Sequence, residues 1–231
     1  MKRIARFLFK AVIAVFLFTI IQVVVLKWVP VWYTPLMLKR SVEYRNDDTF
    51  RTHKKWVRLE KISKNLSKAL ITSEDNLFFT HSGFAWEDMQ KELDKSRKTG
   101  KKARGCSTIS QQTAKNVFTF GNRSFLRKGI EAYYTFLIEK IWGKKRILEV
   151  YLNVIETGRG IYGAEAAAQV FFGKNAAKLS LQESALIAAC LPNPLQRNVA
   201  RPSSYVLRRR SQIASATRQL DWKPLDEAYG K

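Results

Sequence analysis

Residues 105–116 read GCSTISQQTAKN, a stretch that combines a helix start with a polar helix face. Thr108 and Gln111 form a capping-box pattern, in which side chains satisfy the first free N–H groups of a helix. Free N–H groups and the positive end of the helix dipole favour a phosphate or carboxylate at such a start. Thr108, Gln112 and Lys115 share one helical face. The stretch predicts an anion-binding helix start or, alternatively, an ordinary capped helix that faces solvent.

The composition favours a polyanionic partner. The 231-residue chain has 41 Lys and Arg against 19 Asp and Glu, which gives a formal net charge of +22. Nucleic acid, an anionic membrane surface and phosphorylated lipids all fit this charge. The length suits one domain, which can have two lobes.

The N-terminus narrows the choice among these partners to the membrane. Residues 7–26 are almost entirely apolar and number about 20, which is enough to cross a bilayer. A basic flank precedes them, and Trp28, Trp32 and Tyr33 follow as an interfacial belt. This arrangement predicts an N-terminus inside and all residues after about 30 outside. The alternative is a cleaved signal peptide, but no A-x-A-like cleavage site is present. We expect no nucleic-acid partner.

The chain divides into three segments. They are a cytoplasmic flank with a transmembrane anchor (1–29), a membrane-proximal connector (30–61) and a domain (62–231). Helical periodicity dominates from Ile62 onward and convincing strands are few, so we predict a mainly α domain. The predicted helices include Ser124–Trp142, Arg146–Ile155, Ile161–Phe172 and Leu181–Cys190, the last opened by a capping box at Ser180 and Glu183.

Two cysteines, Cys106 and Cys190, lie outside the cytosol on this topology, where a disulfide can form. Their neighbours favour two separate small buried residues instead. Neither their spacing nor the surrounding residues indicate a metal site.

Glu74 and Asp75 end an apolar helix and precede Phe78 and His81. Partial burial beside aromatic rings raises the pKa of a Glu towards the range of a general base. The alternatives are a solvated helix end for the two carboxylates and a structural role for His81.

A second group of charged residues follows the polar helix. Arg127 and Glu131 stand at i and i+4, which also fits a simple surface ion pair. Lys115, Arg123 and Lys128 lie nearby in sequence, and such a concentration of cations suits a pyrophosphate leaving group. No P-loop and no G-x-G-x-x-G is present, which argues against a nucleotide substrate.

Four segments carry motifs in a fixed order. They read EDxxFxxHxGF at 74–84, GxSTIxQQxAKN at 105–116, RKxxE at 127–131 and RILEVYLN at 146–153. Together they resemble the four consecutive motifs of the peptidoglycan glycosyltransferases. The similarity extends over about residues 34–220, and its additional elements resemble those of the monofunctional members of the family.

The resemblance implies a mainly α, lysozyme-like, bilobal domain that polymerises lipid II into glycan strands at the bacterial inner membrane. Glu74 would deprotonate the acceptor's 4-hydroxyl, and the attack would invert the donor's C1 and release undecaprenyl pyrophosphate. Lys115, Arg123 and Arg127 would hold the diphosphate. Glu131 would assist by orienting these cations or by sharing a divalent metal. The other residues expected to bind substrate are Asp75, Phe78, His81, Ser107, Thr108, Gln111, Gln112 and Asn116.

The resemblance requires no cofactor and permits Mg²⁺ or Mn²⁺. It also implies inhibition by moenomycin and, as partners, the growing glycan strand and the cell-wall synthesis machinery. Two other functions stay open at this point. A lytic, lysozyme-like enzyme would share the fold and one Glu but would have little use for the cations. A membrane-tethered module that binds anionic cell-wall polymer would need neither Glu74 nor Glu131.

Overall fold

The computed structural model describes residues 2–100, 106–120 and 124–230, and within these ranges the chain is mainly helical. The helices are α1 (Lys2–Leu26), α2 (Pro35–Glu43), α3 (Lys64–Glu74), α4 (Trp86–Thr99), α5 (Ile109–Phe118), α6 (Phe125–Ile141), α7 (Gly143–Val154), α8 (Gly163–Phe172), α9 (Leu181–Cys190), α10 (Ser204–Thr217) and α11 (Lys223–Ala228). The short strands are β1 (His53–Lys54), β2 (Glu156–Gly158) and β3 (Ile161–Tyr162).

Helix α1 is long and apolar enough to cross a bilayer. Its 25 residues correspond to about 37 Å, against a hydrocarbon core of about 30 Å. Phe7, Phe9 and Phe18 are each at least 65% exposed. Because the protein itself covers so little of this apolar surface, α1 has the character of a single-pass membrane anchor.

The C-terminal end of α1 is hydrogen-bonded to the domain. The indole N–H of Trp142 donates to the Val23 carbonyl at 2.7 Å. The Arg146 guanidinium donates to the carbonyls of Leu26 at 2.8 Å and Val29 at 2.6 Å. The last carbonyls of a helix have no partner within the helix, and a cation at this end also favours the helix dipole. The domain therefore supplies the hydrogen-bond donors that cap the C-terminal end of α1.

Both predicted capping boxes are confirmed. The Thr108 hydroxyl accepts from the Gln111 backbone N–H at 3.1 Å, and Gln111 Oε1 accepts from the Thr108 N–H at 3.0 Å. Ser180 and Glu183 make the same reciprocal pair at the start of α9, which has the predicted bounds. These helix starts form as predicted because four consecutive residues contain all the donors and acceptors involved.

Two predicted helix starts are wrong, and the first is that of α7, which begins at Gly143 and not at Arg146. Ile161 and Tyr162 were expected to begin a helix, but they form β3, and α8 begins at Gly163. Gly163 has a φ of +81°, and a Cβ there would lie 2.6 Å from the Asn153 carbonyl oxygen. Only glycine tolerates this turn between strand and helix.

Residues 30–61, predicted as a connector, pack into the domain. The three strands form one sheet in the order β1-β3-β2, with β1 parallel and β2 antiparallel to β3. The Asn153 side chain bonds both the N–H and the carbonyl of Val57 at 2.9 Å. Leu59 is fully buried. The connector is thus held by strand pairing, a buried amide and the hydrophobic core.

The core has two groups of packed helices. Helices α3, α9 and α10 pack on one another, and α5, α6 and α7 form the second group. Helix α7 contributes deeply buried side chains to the core, and Ile147, Leu148, Tyr151 and Leu152 are all at 0% exposure. The two groups meet where the C-terminus of α3 approaches α5, and described residues of the first two motifs contact each other at this junction.

Cys106 and Cys190 do not form a disulfide. Cys190 is fully buried, as predicted, and burial raises the pKa of its thiol to about 11. Cys106 is only half-buried, so the prediction of a buried residue is wrong there. Its Sγ lies 3.9 Å from the Asp88 carbonyl oxygen, because the start of the polar stretch lies beside α4.

Candidate active site

A cleft of about 440 Å³ opens beside the junction of the two helix groups. Its walls come from α2, α5, α6, α7, β2 and the segment that follows α9. Four basic residues, Lys39, Arg40, Lys115 and Arg127, line it. Of the residues predicted to bind substrate, the cleft is lined by Gln112, Lys115, Asn116 and Arg127. The arrangement suits a polar ligand that carries negative charge.

Glu74 is the last residue of α3 and points towards α5. The Gln112 side-chain amide donates to Glu74 Oε2 at 3.0 Å. Burial raises the pKa of Glu74 above its ordinary value of 4.5, and the neighbouring Asp75 acts in the same direction. The Gln112 hydrogen bond and the charges of Arg209 and Lys115 oppose this shift. The result is a carboxyl group whose basicity is increased, as a general base requires.

Asp75 binds the start of α5. Its Oδ2 accepts from the Ile109 backbone N–H at 2.8 Å, and its carboxylate also contacts His81 Nε2 at 2.9 Å. The capping box of Thr108 occupies further donors of the same helix start. The anion at this helix start is therefore the protein's own carboxylate. The predicted anion-binding helix start thus has the Asp75 carboxylate as its anion in this structure, and its charge counters the positive end of the helix dipole.

Asp75→Asn is expected to lower the free energy of unfolding by about 1–2 kcal/mol, since a charged acceptor at a helix start becomes a neutral one. Thermal or urea unfolding of the detergent-solubilised protein measures this effect. Asp94→Asn on the exposed face of α4 is the matched control, because Asp94 is about half exposed. Equal stability of the Asp75 variant and the wild type would contradict the helix-start role.

Several other predicted substrate residues lie behind the cleft wall. Phe78 is fully buried and makes an edge contact with the Phe79 ring. The Thr108 hydroxyl donates to the Gly83 carbonyl at 2.7 Å, where φ is +96°. His81, Thr108 and Gln111 thus have partners within the protein. In this structure these residues position the first two motifs against each other instead of lining the cleft.

Glu131 is buried, with an exposure of 2%, and holds two cations. One of its oxygens accepts from Arg127 at 2.7 Å and the other accepts from Lys128. The simple surface ion pair considered from the sequence is therefore wrong, since the carboxylate is enclosed. Arg127 reaches the cleft from this pair. Arg123, the remaining predicted cation, lies outside the described residues.

Lys115 is exposed to the cleft, one turn of α5 beyond Gln112. Desolvation by the cleft walls lowers the pKa of its ammonium, and the charges of Arg127 and Lys128 act in the same direction. Glu131 and Glu74 raise it. Lys115 thus lies in the electrostatic field of both candidate carboxylates.

The described residues do not form a protein metal site. Among them, no group of three or more His, Cys, Asp and Glu side chains is placed to hold an ion. Both oxygens of Glu131 already accept from cations.

Sequence reasoning missed several residues of this region, among them Arg40, Glu156 and Tyr151. Arg40 on α2 makes a bidentate pair with Glu156, with Nε and Nη2 each 3.0 Å from a carboxylate oxygen. Both residues line the cleft, although they are 116 positions apart. Tyr151 lies under the cleft and donates to Gln112 Oε1 at 3.3 Å. The sequence contained no local signal for these contacts, apart from the presence of Tyr151 in the fourth motif.

Comparisons of the sequence with known proteins show which family the chain belongs to. Residues 41–218 match the sequence profile of the transglycosylase family. A relative from Bacteroides thetaiotaomicron is 50% identical over 213 residues, which cover 92% of this chain and 86% of the relative. A Caulobacter vibrioides relative is 50% identical over 198 residues (86% and 84% covered), and one from Shewanella oneidensis is 47% identical over 221 residues (95% and 93% covered). Each of the three is named biosynthetic peptidoglycan transglycosylase. The chain belongs to the transglycosylase family.

Proposed function

We propose that this protein polymerises lipid II into peptidoglycan glycan strands and releases undecaprenyl pyrophosphate. The observation that carries the proposal is the juxtaposition of Glu74, held by Gln112, with the cation-lined cleft. The names of the relatives support the reaction class. A lytic enzyme has no diphosphate leaving group and would not need Lys115 and Arg127 in its cleft.

The reaction is a single displacement. Glu74 takes the proton of the acceptor's 4-hydroxyl as that oxygen forms a bond to C1 of the donor sugar. The C1–O bond to the diphosphate breaks, and its electron pair leaves with the diphosphate. Attack from the opposite face inverts C1. The raised pKa of Glu74 assists proton transfer.

Charge on the departing diphosphate is stabilised by Lys115 and Arg127, with Arg123 as a further predicted cation. Fixed cations in a partly desolvated cleft stabilise developing negative charge without reorganising. Glu131 orients Arg127 and Lys128. Its two occupied oxygens support this role over a shared divalent metal. No cofactor is required by this scheme.

The protein is anchored in the bacterial inner membrane with its catalytic domain on the periplasmic side. The basic residues in the first turns of α1 support this orientation by the positive-inside rule. Trp28 and Trp32 are 70% and 66% exposed just after the anchor, where aromatic residues meet the interface. The cleft is therefore kept close to the bilayer surface, where a lipid-linked substrate is found. The cell-wall synthesis machinery is the expected protein partner.

Incubation of the full-length protein with labelled lipid II in detergent is expected to yield long glycan strands that a muramidase digests. The same protein should release no fragments from preformed glycan, which separates polymerisation from lysis. Moenomycin should abolish the product, because it is expected to compete for the donor cleft. Fragment release from glycan, or polymer formation that moenomycin leaves unchanged, would contradict the proposal.

A further inference from the structure

We propose that Tyr151 is a positioning residue for the reaction, because its hydroxyl fixes the Gln112 amide so that an N–H group faces Glu74. The inference rests on the proposed role of Glu74 as the base. Tyr151 lies on α7 at the floor of the cleft, and its side chain is fully buried, so we assign its effect to its contact with Gln112.

The Gln112 amide makes three hydrogen bonds. Its Nε2 donates to Glu74 Oε2 at 3.0 Å and to the Ser107 carbonyl at 3.2 Å. Its Oε1 accepts from the Tyr151 hydroxyl at 3.3 Å. Rotating the amide by 180° would turn Oε1 towards two acceptors, the Glu74 carboxylate and the Ser107 carbonyl. The orientation is therefore set by two acceptors on one side and one donor on the other.

The Tyr151 hydroxyl remains a hydrogen-bond donor because it stays protonated. Burial raises the pKa of the Tyr151 hydroxyl well above its ordinary value of 10, and the charges of Glu74 and Asp75 raise it further. The hydroxyl therefore keeps its proton at neutral pH. Among the described residues, the Tyr151 hydroxyl has one hydrogen-bond partner, which is Gln112 Oε1. Its proton is therefore donated to Gln112.

The other charged groups that face Glu74 do not depend on the amide. They are Arg209 from α10, Lys115 from α5 and Asp75 from the adjoining turn. Their charges act through space, whereas the Gln112 N–H acts only when it points at the carboxylate. Loss of the Tyr151 hydroxyl should therefore change only the hydrogen bond from Gln112, which favours the ionised form of Glu74.

The test is the pH dependence of kcat/KM for polymerisation by the full-length protein. Tyr151→Phe is expected to shift the acidic limb of the profile to higher pH by about half a unit. This is the size expected from weakening one hydrogen bond to the ionised Glu74. Gln112→Leu removes the N–H altogether and should move the limb in the same direction by at least as much. In the Gln112→Leu background, Tyr151→Phe should add no further shift.

Tyr162→Phe is the matched control. Tyr162 is also fully buried, and the described residues offer its hydroxyl no hydrogen-bond partner. Its pH profile should equal that of the wild type. Thermal unfolding of each variant separates a shifted limb from loss of the fold.

An unshifted limb in folded Tyr151→Phe would overturn the inference, as would a further shift in the Gln112→Leu background. If Tyr151→Phe does not fold, Gln112→Leu decides, and an unshifted limb there overturns the inference. Failure of the proposed base is distinguishable, because Glu74→Gln would then retain activity whatever Tyr151 does.

Discussion

Glu74→Gln is expected to abolish glycan polymerisation while the protein stays folded. The amide keeps the size of the side chain but cannot take the proton of the acceptor's hydroxyl. A positioned general base contributes about 10²–10⁴-fold to a rate, so the variant should fall to the detection limit of the assay. Product length and amount from labelled lipid II provide the measurement. Glu87→Gln, at an exposed position on α4, is the matched control and should polymerise like the wild type.

Glu74→Gln is also expected to change the stability of the protein. Because the pKa of Glu74 is raised, the folded protein binds this proton more tightly than the unfolded chain does. At a pH above this raised pKa, the buried charge of Glu74 lowers the free energy of unfolding. This destabilisation disappears as the pH falls through the raised pKa. Glu74→Gln removes the buried charge, so it should unfold at a higher temperature than the wild type near neutral pH. An inactive variant that is also destabilised would point to a structural role, and an active one would contradict the base assignment.

Lys115→Met is expected to lower kcat by about a hundredfold, with a smaller change in KM. The ammonium would stabilise charge that develops on the diphosphate only as the C1–O bond breaks, and removal of one such group usually costs 10²–10³ in kcat. Methionine keeps the length and apolar stem of lysine. Steady-state rates over a range of lipid II concentrations separate kcat from KM.

Two further variants serve as controls for the Lys115→Met result. Lys95→Met on exposed α4 controls for the loss of one positive charge and should leave the rate unchanged. Lys115→Arg keeps the charge but changes its geometry, so partial recovery is expected. Full activity of Lys115→Met would remove the argument that this residue acts on the leaving group.

The local features of this chain were predictable because each depends on few consecutive residues. The capping boxes at Thr108 and Ser180 formed as predicted, since their donors and acceptors lie within four positions. The anchor was predictable from the length of its apolar run. The start of α8 was not, because the positive φ of Gly163 follows from the close approach of the Asn153 carbonyl.

The partners of the charged residues were much less predictable. Asp75 lies 34 positions from Ile109, whose N–H it accepts, and Arg40 lies 116 positions from Glu156. Such pairs form only when the chain path brings two segments together. For the same reason, the sequence did not distinguish Asp75, Phe78, His81, Thr108 and Gln111, which lie behind the cleft wall, from Gln112, Lys115, Asn116 and Arg127, which line it.

The sequence by itself determined the anchor and the mainly helical class, and it singled out Glu74, Glu131, Lys115 and Arg127 as candidates. Hydrophobic periodicity and helix capping are properties of short segments, so they can be read without knowing the path of the chain. The tertiary structure alone decided that the Asp75 carboxylate accepts from the start of α5. It also decided that Glu131 orients two cations and that Tyr151 reaches Glu74 through Gln112. These outcomes depend on burial and on distances between remote segments, which only the packed chain sets.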